Sequence, residues 1–215
     1  MNKLLELLFP GKCPFCRKLS SNGAICPKCR KELPFVKGAD RCVSGRGYGR
    51  CAVVLYYEGV AREGILRYKF GGRRGSAAAF GELIAQCAAE NFSGEFDTVT
   101  WVPVSRKRLR KRGYDQAQLI AQAAARLWET EALPLLKKVR DVPTQSKKDA
   151  AARRANVLGA FAAQNEDKIA GRRILLIDDV RTTGATLGEC AGVLRRAGAA
   201  DVMCAVLATP RMERK

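Results

Sequence analysis

One stretch constrains this chain more than any other: Ile174 to Leu187, which reads ILLIDDVRTTGATL. Its first four residues, Ile174 to Ile177, are consecutive and apolar, the pattern of a strand buried on both faces of a parallel sheet. Asp178 and Asp179 stand at the carboxyl end of that strand. Thr182-Thr183-Gly184-Ala185-Thr186 then forms a turn of hydroxyls and glycine that opens into a helical pattern. A buried strand, polar residues at its C-terminal edge and a helix N-terminus behind a glycine turn make a phosphate site. The paired acids add acceptors for sugar hydroxyls or a seat for a divalent cation. An ordinary strand-turn-helix could use DD and TTG merely as caps, but acids, hydroxyls and glycine in one turn favour a site.

The stretch resembles the phosphoribosylpyrophosphate (PRPP) motif of the type I phosphoribosyltransferases: a hydrophobic strand, two acids, then a Thr/Ser-Gly-x-Thr loop. The resemblance implies that Asp178 and Asp179 are catalytic-site acids that hold the ribose hydroxyls. It implies that Thr182, Thr183, Gly184, Ala185 and Thr186 cradle the 5-phosphate with amides and hydroxyls.

The rest of the composition limits the chemistry. The chain has 215 residues, 47% of them hydrophobic, a formal net charge of +18 and no histidine. That length suits one α/β domain plus a small appendage, with an ample core. Without histidine there is no imidazole base, no Ser-His or Cys-His pair and no histidine metal ligand. No apolar run approaches the roughly 20 residues of a membrane-spanning helix. Leu4, Leu5, Leu7, Leu8 and Phe9 are interrupted by Glu6 and lack a small-residue cleavage site, so a short packed helix is expected there instead of a signal peptide. Nine cysteines without an export signal point to reduced thiols in the cytoplasm, some of them on metal.

Charge is unevenly spread: +8 over residues 1–50, −1 over 51–100, +9 over 101–156 and +2 over the remainder. Two basic blocks therefore flank a neutral segment, as expected for a polyanionic partner, either a phosphate-rich small molecule or a nucleic acid.

Cys13-Pro14-Phe15-Cys16 and Cys26-Pro27-Lys28-Cys29 are two C-x2-C knuckles separated by a nine-residue spacer. Each knuckle brings two thiolates to one ion, and two knuckles complete a tetrahedral sulfur shell suited to zinc. With every coordination position filled by protein, the zinc is expected to be structural; a disulfide pair or a redox C-x2-C is the less economical reading. Cys42 and Cys51 supply only half of a second site and read as free thiols, while Cys87, Cys190 and Cys204 read as small core residues. Gly45-Arg46-Gly47-Tyr48-Gly49 reads as a flexible joint, which places the domain boundary near residue 50: a zinc-binding domain and connector over 1–50, and a second domain over 51–215.

Along that second domain, Ala52–Tyr57 and Thr98–Val104 read as strands, and helical patterns cover 58–69, a helix capped by Ser76, and one starting at Asp115 with the stripe Leu119, Ile120, Ala123 and Leu127. Lys69 to Gly75 reads as a mobile basic turn. Between Thr98–Val104 and Asp115, six of the seven residues from Arg106 to Arg112 are cationic. Ligands gather at strand ends in this fold class, so Arg106 and Lys107 are candidates for pyrophosphate, and the outer cations for nucleic-acid phosphates. Residues 140–156 are polar and alanine-rich, consistent with a closing lid that uses Arg140, Gln145, Arg153 and Asn156, or with an ordinary exposed helix. A final helix carries Leu187, Cys190, Val193 and Leu194, followed by a strand at Val202–Leu207. This order predicts an α/β, doubly wound, mainly parallel sheet.

Taken end to end, the sequence resembles the ComF family of competence-associated proteins, in the N-terminal cysteine knuckles, YKFGGR, VPVSRKRLRKRGYDQAQLIA, PTQS…RRANVLGAF and IDDVRTTGATL. It departs from that pattern at Cys42 and Cys51, where many relatives carry a fuller second cysteine set. The resemblance implies a type I phosphoribosyltransferase-like fold behind a four-cysteine zinc domain, in a cytoplasmic protein tied to uptake or use of external DNA. It implies PRPP with Mg2+ as ligand, and single-stranded DNA and competence proteins as partners. The acceptor is not specified: phosphoribosyl transfer and non-catalytic sensing of PRPP or a nucleotide both remain open. Purine-salvage relatives place an acid where this chain has Thr182, which disfavours a hypoxanthine-type acceptor.

Overall fold

The computed structural model describes residues 11–20, 23–141 and 157–211. A five-stranded sheet organises it, built from β1 (Cys42–Gly45), β2 (Tyr48–Tyr56), β3 (Thr98–Trp101), β6 (Arg173–Val180) and β7 (Asp201–Thr209) in the spatial order β1-β2-β7-β6-β3. Only the β1–β2 pair is antiparallel; β2–β7, β7–β6 and β6–β3 run parallel. The expected doubly wound, mainly parallel architecture is therefore present. A separate two-stranded antiparallel flap, β4 (Leu136–Lys138) with β5 (Phe161–Ala163), brackets residues 142–156. The proposed lid residues Gln145, Arg153 and Asn156, and the N-terminal leucines, lie outside the described residues.

β6 is the buried central strand that its composition requires. Ile174 and Leu176 enter one apolar layer and Leu175 and Ile177 the other, following the period-two alternation of a strand. β7 repeats the pattern, with Val202, Cys204 and Val206 on the first face and Met203, Ala205 and Leu207 on the second. The first face is covered by α6 (Ala185–Arg196) through Leu187, Cys190 and Leu194. The second is covered by α3 (Ser76–Phe92) and α5 (Gln116–Leu127).

Local differences from the sequence reading have physical causes. α3 is entered through Gly75, and Ser76 is its first residue rather than its cap. α5 presents Ala117, Ile120, Ala121 and Ala124 to the core, whereas Leu127 is 58% exposed. Gly81 of α3 explains this: a β-carbon there would lie 2.5 Å from the Ala123 Cβ. The two helices thus approach through glycine and alanine, and bulk on that face is excluded. The cationic residues Arg106–Arg112, to which the sequence reading gave no secondary structure, form a short helix, α4, capped by the Ser105 side chain and closed by Gly113 at φ 76°. The Gly45–Gly49 run is a tight β1–β2 hairpin with Tyr48 buried, so it is not a loose joint.

The N-terminal module docks on the second face. Its helix α1 (Pro27–Glu32) starts at Cys26, whose sulfur accepts the Cys29 amide. Phe15, between the first two cysteines, packs on Phe80 of α3 with ring centroids 5.5 Å apart, and Tyr68 of α2 (Gly59–Phe70) meets the same ring edge-on at 5.2 Å. Gly64 makes room, because a β-carbon there would come within 2.5 Å of the Phe15 ring. Phe80→Ala should therefore loosen both bodies at once and lower stability by about 3–5 kcal/mol in urea unfolding; a loss below about 1 kcal/mol would contradict this shared core.

Candidate functional site

The cysteine cluster is the first site. The sulfurs of Cys13, Cys16, Cys26 and Cys29 all lie within 4.8 Å of one another, with Cys16 and Cys26 at 3.5 Å. A tetrahedral zinc with Zn–S bonds of about 2.3 Å needs sulfurs about 3.8 Å apart, so the cluster fits the ion. Burial works to raise the Cys13 thiol, but amide donors from Cys16, Cys26 and Phe15 outweigh it and bring Cys13 down to about 7. Burial and the neighbouring sulfurs push Cys29 up. A positive ion at the centre would relieve that crowding, as zinc does by holding all four as thiolates. Cys42 and Cys51 form no counterpart. Cys42 on β1 pairs with Ala52 and faces the α3 layer, while Cys51 on β2 pairs with Val43 and faces the α6 layer, so the hairpin register places their thiols on opposite sides of the sheet.

The second site lies at the carboxyl end of β6. The backbone amide of Asp179 donates to Asp178 Oδ1 at 2.8 Å. Asp179 is buried and pairs with Lys69 Nζ at 2.9 Å. Burial and the adjacent Asp179 carboxylate push Asp178 well above its ordinary range, against the pull of Lys69. After Arg181 the chain turns through Gly184 at φ 75°, a left-handed conformation suited to glycine, and enters α6. Thr183 Oγ1 accepts the Ala185 amide at 3.4 Å, Thr182 is exposed, and Thr183 and Thr186 are half-buried. The first amides of α6 lack intrahelical acceptors and carry the positive end of its dipole, which favours an anion.

Neighbouring elements complete the mouth. Asp115 caps α5 and also accepts the Val104 amide at 2.9 Å, tying the chain after β3 to that helix; burial raises its carboxyl. A cleft of about 570 Å³ opens between this strand end and the flap, with Trp101, Ser105, Arg106, Asp115, Lys138 and Arg140 among its lining residues. Arg106 reaches that cleft, whereas Lys107 is exposed on α4 outside its lining. Arg140 donates to the Leu158 carbonyl at 2.6 Å, across the base of the bracketed segment. Lys138 sits over the Phe161 ring at 5.0 Å, and burial, then Arg108, lower its pKa.

Sequence reasoning placed the two acids and the threonine-glycine turn together, and the structure brings them to one strand end. It missed the Lys69–Asp179 pair, having taken Lys69 for part of a mobile turn, although Lys69 belongs to the last turn of a regular α2. The same reading missed Lys138, Asp115 as a strand tie, and the Tyr48–Arg181 contact, none of which has a local sequence signature.

Two family models match the chain. A double zinc ribbon domain covers residues 4–53 and a phosphoribosyl transferase domain covers residues 76–215. The chain is 30% identical to the DNA utilization protein YhgH of Escherichia coli over 89% of its own length and 87% of that protein's. It is 30% identical to competence protein ComFC of Streptococcus pneumoniae, covering 82% and 77%, and 27% identical to competence protein F of Haemophilus influenzae, covering 92% and 90%. The chain belongs to the ComF family. This ComF protein combines a four-cysteine zinc ribbon with a type I phosphoribosyltransferase fold. No helix among its described residues is long and apolar enough to cross a membrane.

Metal analysis of this ComF protein purified without added metal should find about one zinc per chain, unchanged by Cys42→Ser and lost in Cys29→Ser. Two zincs per chain would overturn the assignment of Cys42 and Cys51. The acids predict a pH effect. A carboxyl raised in the folded state adds stability that is fully present below its ordinary pKa and lost as pH rises through the folded value. Without ligand, Asp178→Asn should therefore melt higher than wild type at pH 7, by about 2–4 °C per kcal/mol relieved, with the gap closing toward pH 4.

Proposed function

We propose that this protein binds PRPP together with Mg2+ at the carboxyl end of β6, and that it serves the uptake or use of external DNA. The observation that carries the reading is the join of two buried-edge carboxylates to a left-handed glycine turn at a helix N-terminus. In this proposal Asp178 and Asp179 accept the ribose hydroxyls, and Thr182, Thr183, Gly184, Ala185 and Thr186 hold the 5-phosphate through the amides and hydroxyls of that turn. Arg106 and Lys107 meet the pyrophosphate, and Arg140, Gln145 and Arg153 are the residues proposed to close over the ligand. Oxygen donors of this kind suit Mg2+, which Asp178 and Asp179 would help to hold beside the diphosphate and which would neutralise leaving-group charge.

The protein's own contribution to phosphoribosyl transfer follows from charge. Departure of pyrophosphate leaves an oxocarbenium-like sugar, and carboxylates beside the ribose stabilise it while cations beside the diphosphate stabilise the leaving group. The Lys69–Asp179 pair supports this division, since it keeps a cation within reach of the acids before any ligand arrives. The names of the relatives, which speak of competence and DNA utilization, support the link to external DNA. Single-stranded DNA fits the outer part of α4, where Arg110 and Lys111 are exposed, and competence proteins in the cytoplasm would be its companions. The functional division into residues 1–50 and 51–215 is kept, with the β1–β2 hairpin straddling it.

Calorimetry with PRPP and Mg2+ tests the pocket. Wild type should bind, and Asp179→Asn should bind at least tenfold more weakly, since it removes a buried charge at the sugar. No binding by wild type would overturn the reading. Pyrophosphate release across a panel of acceptors then separates a transferase, which turns over with at least one, from a sensor, which turns over with none.

A further inference from the structure

Arg181 joins β6 to the threonine-glycine loop, yet its side chain does not point to solvent. It is 7% exposed, and its guanidinium donates to the Tyr48 hydroxyl at 2.8 Å and to Thr209 Oγ1 at 3.3 Å. Its backbone amide donates to the Ala208 carbonyl at 2.9 Å, so the loop is pinned to β7 at both ends of this residue. No carboxylate pairs with Arg181 among the described residues, whose ion pairs involve other cations. A guanidinium taken out of water with two neutral acceptors is an uncompensated charge, and such a charge costs stability unless something anionic comes near it.

Tyr48 fixes where that charge sits. The ring is buried between two glycines: a β-carbon on Gly45 would fall 2.0 Å from it, and one on Gly184 would fall 2.7 Å from it. Gly184 is the turn residue of the loop, so the phenol that holds Arg181 also supports the backbone that opens α6. The hairpin turn presses on the same helix further along, because a β-carbon on Gly188 would lie 2.7 Å from the Arg46 carbonyl oxygen. Arg195, in the last turn of α6, donates back to the Gly47 carbonyl at 3.0 Å. Three glycines thus allow the β1–β2 hairpin to act as a rigid seat for the loop.

Resting on the proposal that this loop holds a 5-phosphate, we infer that Arg181, held in place by Tyr48, is a positioning residue that lends the loop a buried positive charge and is itself relieved by an anionic ligand. The charge acts from beneath the loop through low-dielectric protein, where a unit charge keeps its influence over several ångströms. The hairpin next to the zinc ribbon thereby becomes part of the phosphate site without touching the ligand. Selection for a phosphate-bearing sugar over a neutral one follows from the same arrangement.

The test uses the full chain with ribose 5-phosphate as the calorimetric probe, in wild type, Arg181→Met, Arg181→Lys and Tyr48→Phe, with ligand-free melting recorded for each. Met fills a similar volume without charge. Arg181→Met should bind on the order of tenfold more weakly while melting no lower than wild type, because a buried unpaired charge has been removed. Arg181→Lys should recover most of the affinity. Tyr48→Phe keeps the ring between the glycines, frees the guanidinium, and should weaken binding a few-fold, on the scale of one charge-assisted hydrogen bond. Wild-type affinity in Arg181→Met, or a Lys variant no better than Met, would overturn the inference. Should Arg181→Met fail to fold, wild-type affinity in Tyr48→Phe would overturn the inference instead. If wild type itself does not bind ribose 5-phosphate or PRPP, the loop is not a phosphate site and both proposals fall together.

Discussion

Adjacent carboxylates at the end of a buried strand repel each other, and much of this structure can be understood as an answer to that repulsion. Asp178 and Asp179 alternate across the sheet, so each meets a different layer. Asp179 is met by Lys69, 2.9 Å away and mostly buried, from the last turn of α2. Asp178 has no comparable ion pair among the described residues, and burial together with the Asp179 carboxylate pushes its carboxyl up. Asp115 adds a third carboxyl to the same mouth, engaged by two backbone amides. Such a mouth is electrostatically tense before ligand arrives, which is the usual condition of a functional site.

The N-terminal module is bound into that arrangement at two places. Phe15 enters the α3 layer beside Phe80 and Tyr68, and Tyr68 in turn donates to the Gln116 carbonyl at the start of α5 at 2.9 Å. The second tie is the hairpin, which follows the ribbon in sequence and meets the loop through Tyr48. The ribbon is therefore packed on the helix that carries Lys69 and is continuous with the strand pair that supports Gly184. A metal site with no open position can still influence a distant loop by fixing the elements between them.

Several features were legible in the residues themselves because their physics is local. Four apolar residues in a row declare a strand buried on both faces, and C-x2-C twice declares a sulfur shell. Gly184 declares a turn that most side chains cannot make. Other features were misread because local pattern was outweighed by packing. The α5 stripe was expected on Leu119, Ile120, Ala123 and Leu127; Ile120 is buried, but Leu127 is exposed, because Gly81 draws α3 so close that the helices meet through Ala123 and Ala124. The glycine-rich run at 45–49 was expected to be flexible; instead its glycines admit the Tyr48 ring and the close approach of α6. Small residues mark either freedom or contact, and only the neighbours distinguish the two.

The sequence by itself determined that a buried parallel strand ends in two acids and a phosphate-type turn, and that four cysteines can close on zinc, since both depend on residues near one another in the chain. Tertiary structure decided which charges answer those acids and what holds the turn. Lys69 reaches Asp179 across 110 positions, and Tyr48 reaches Arg181 across 133. Contacts at that separation leave no periodicity or spacing in the chain, because they exist only once the sheet has set β2, β7 and β6 side by side.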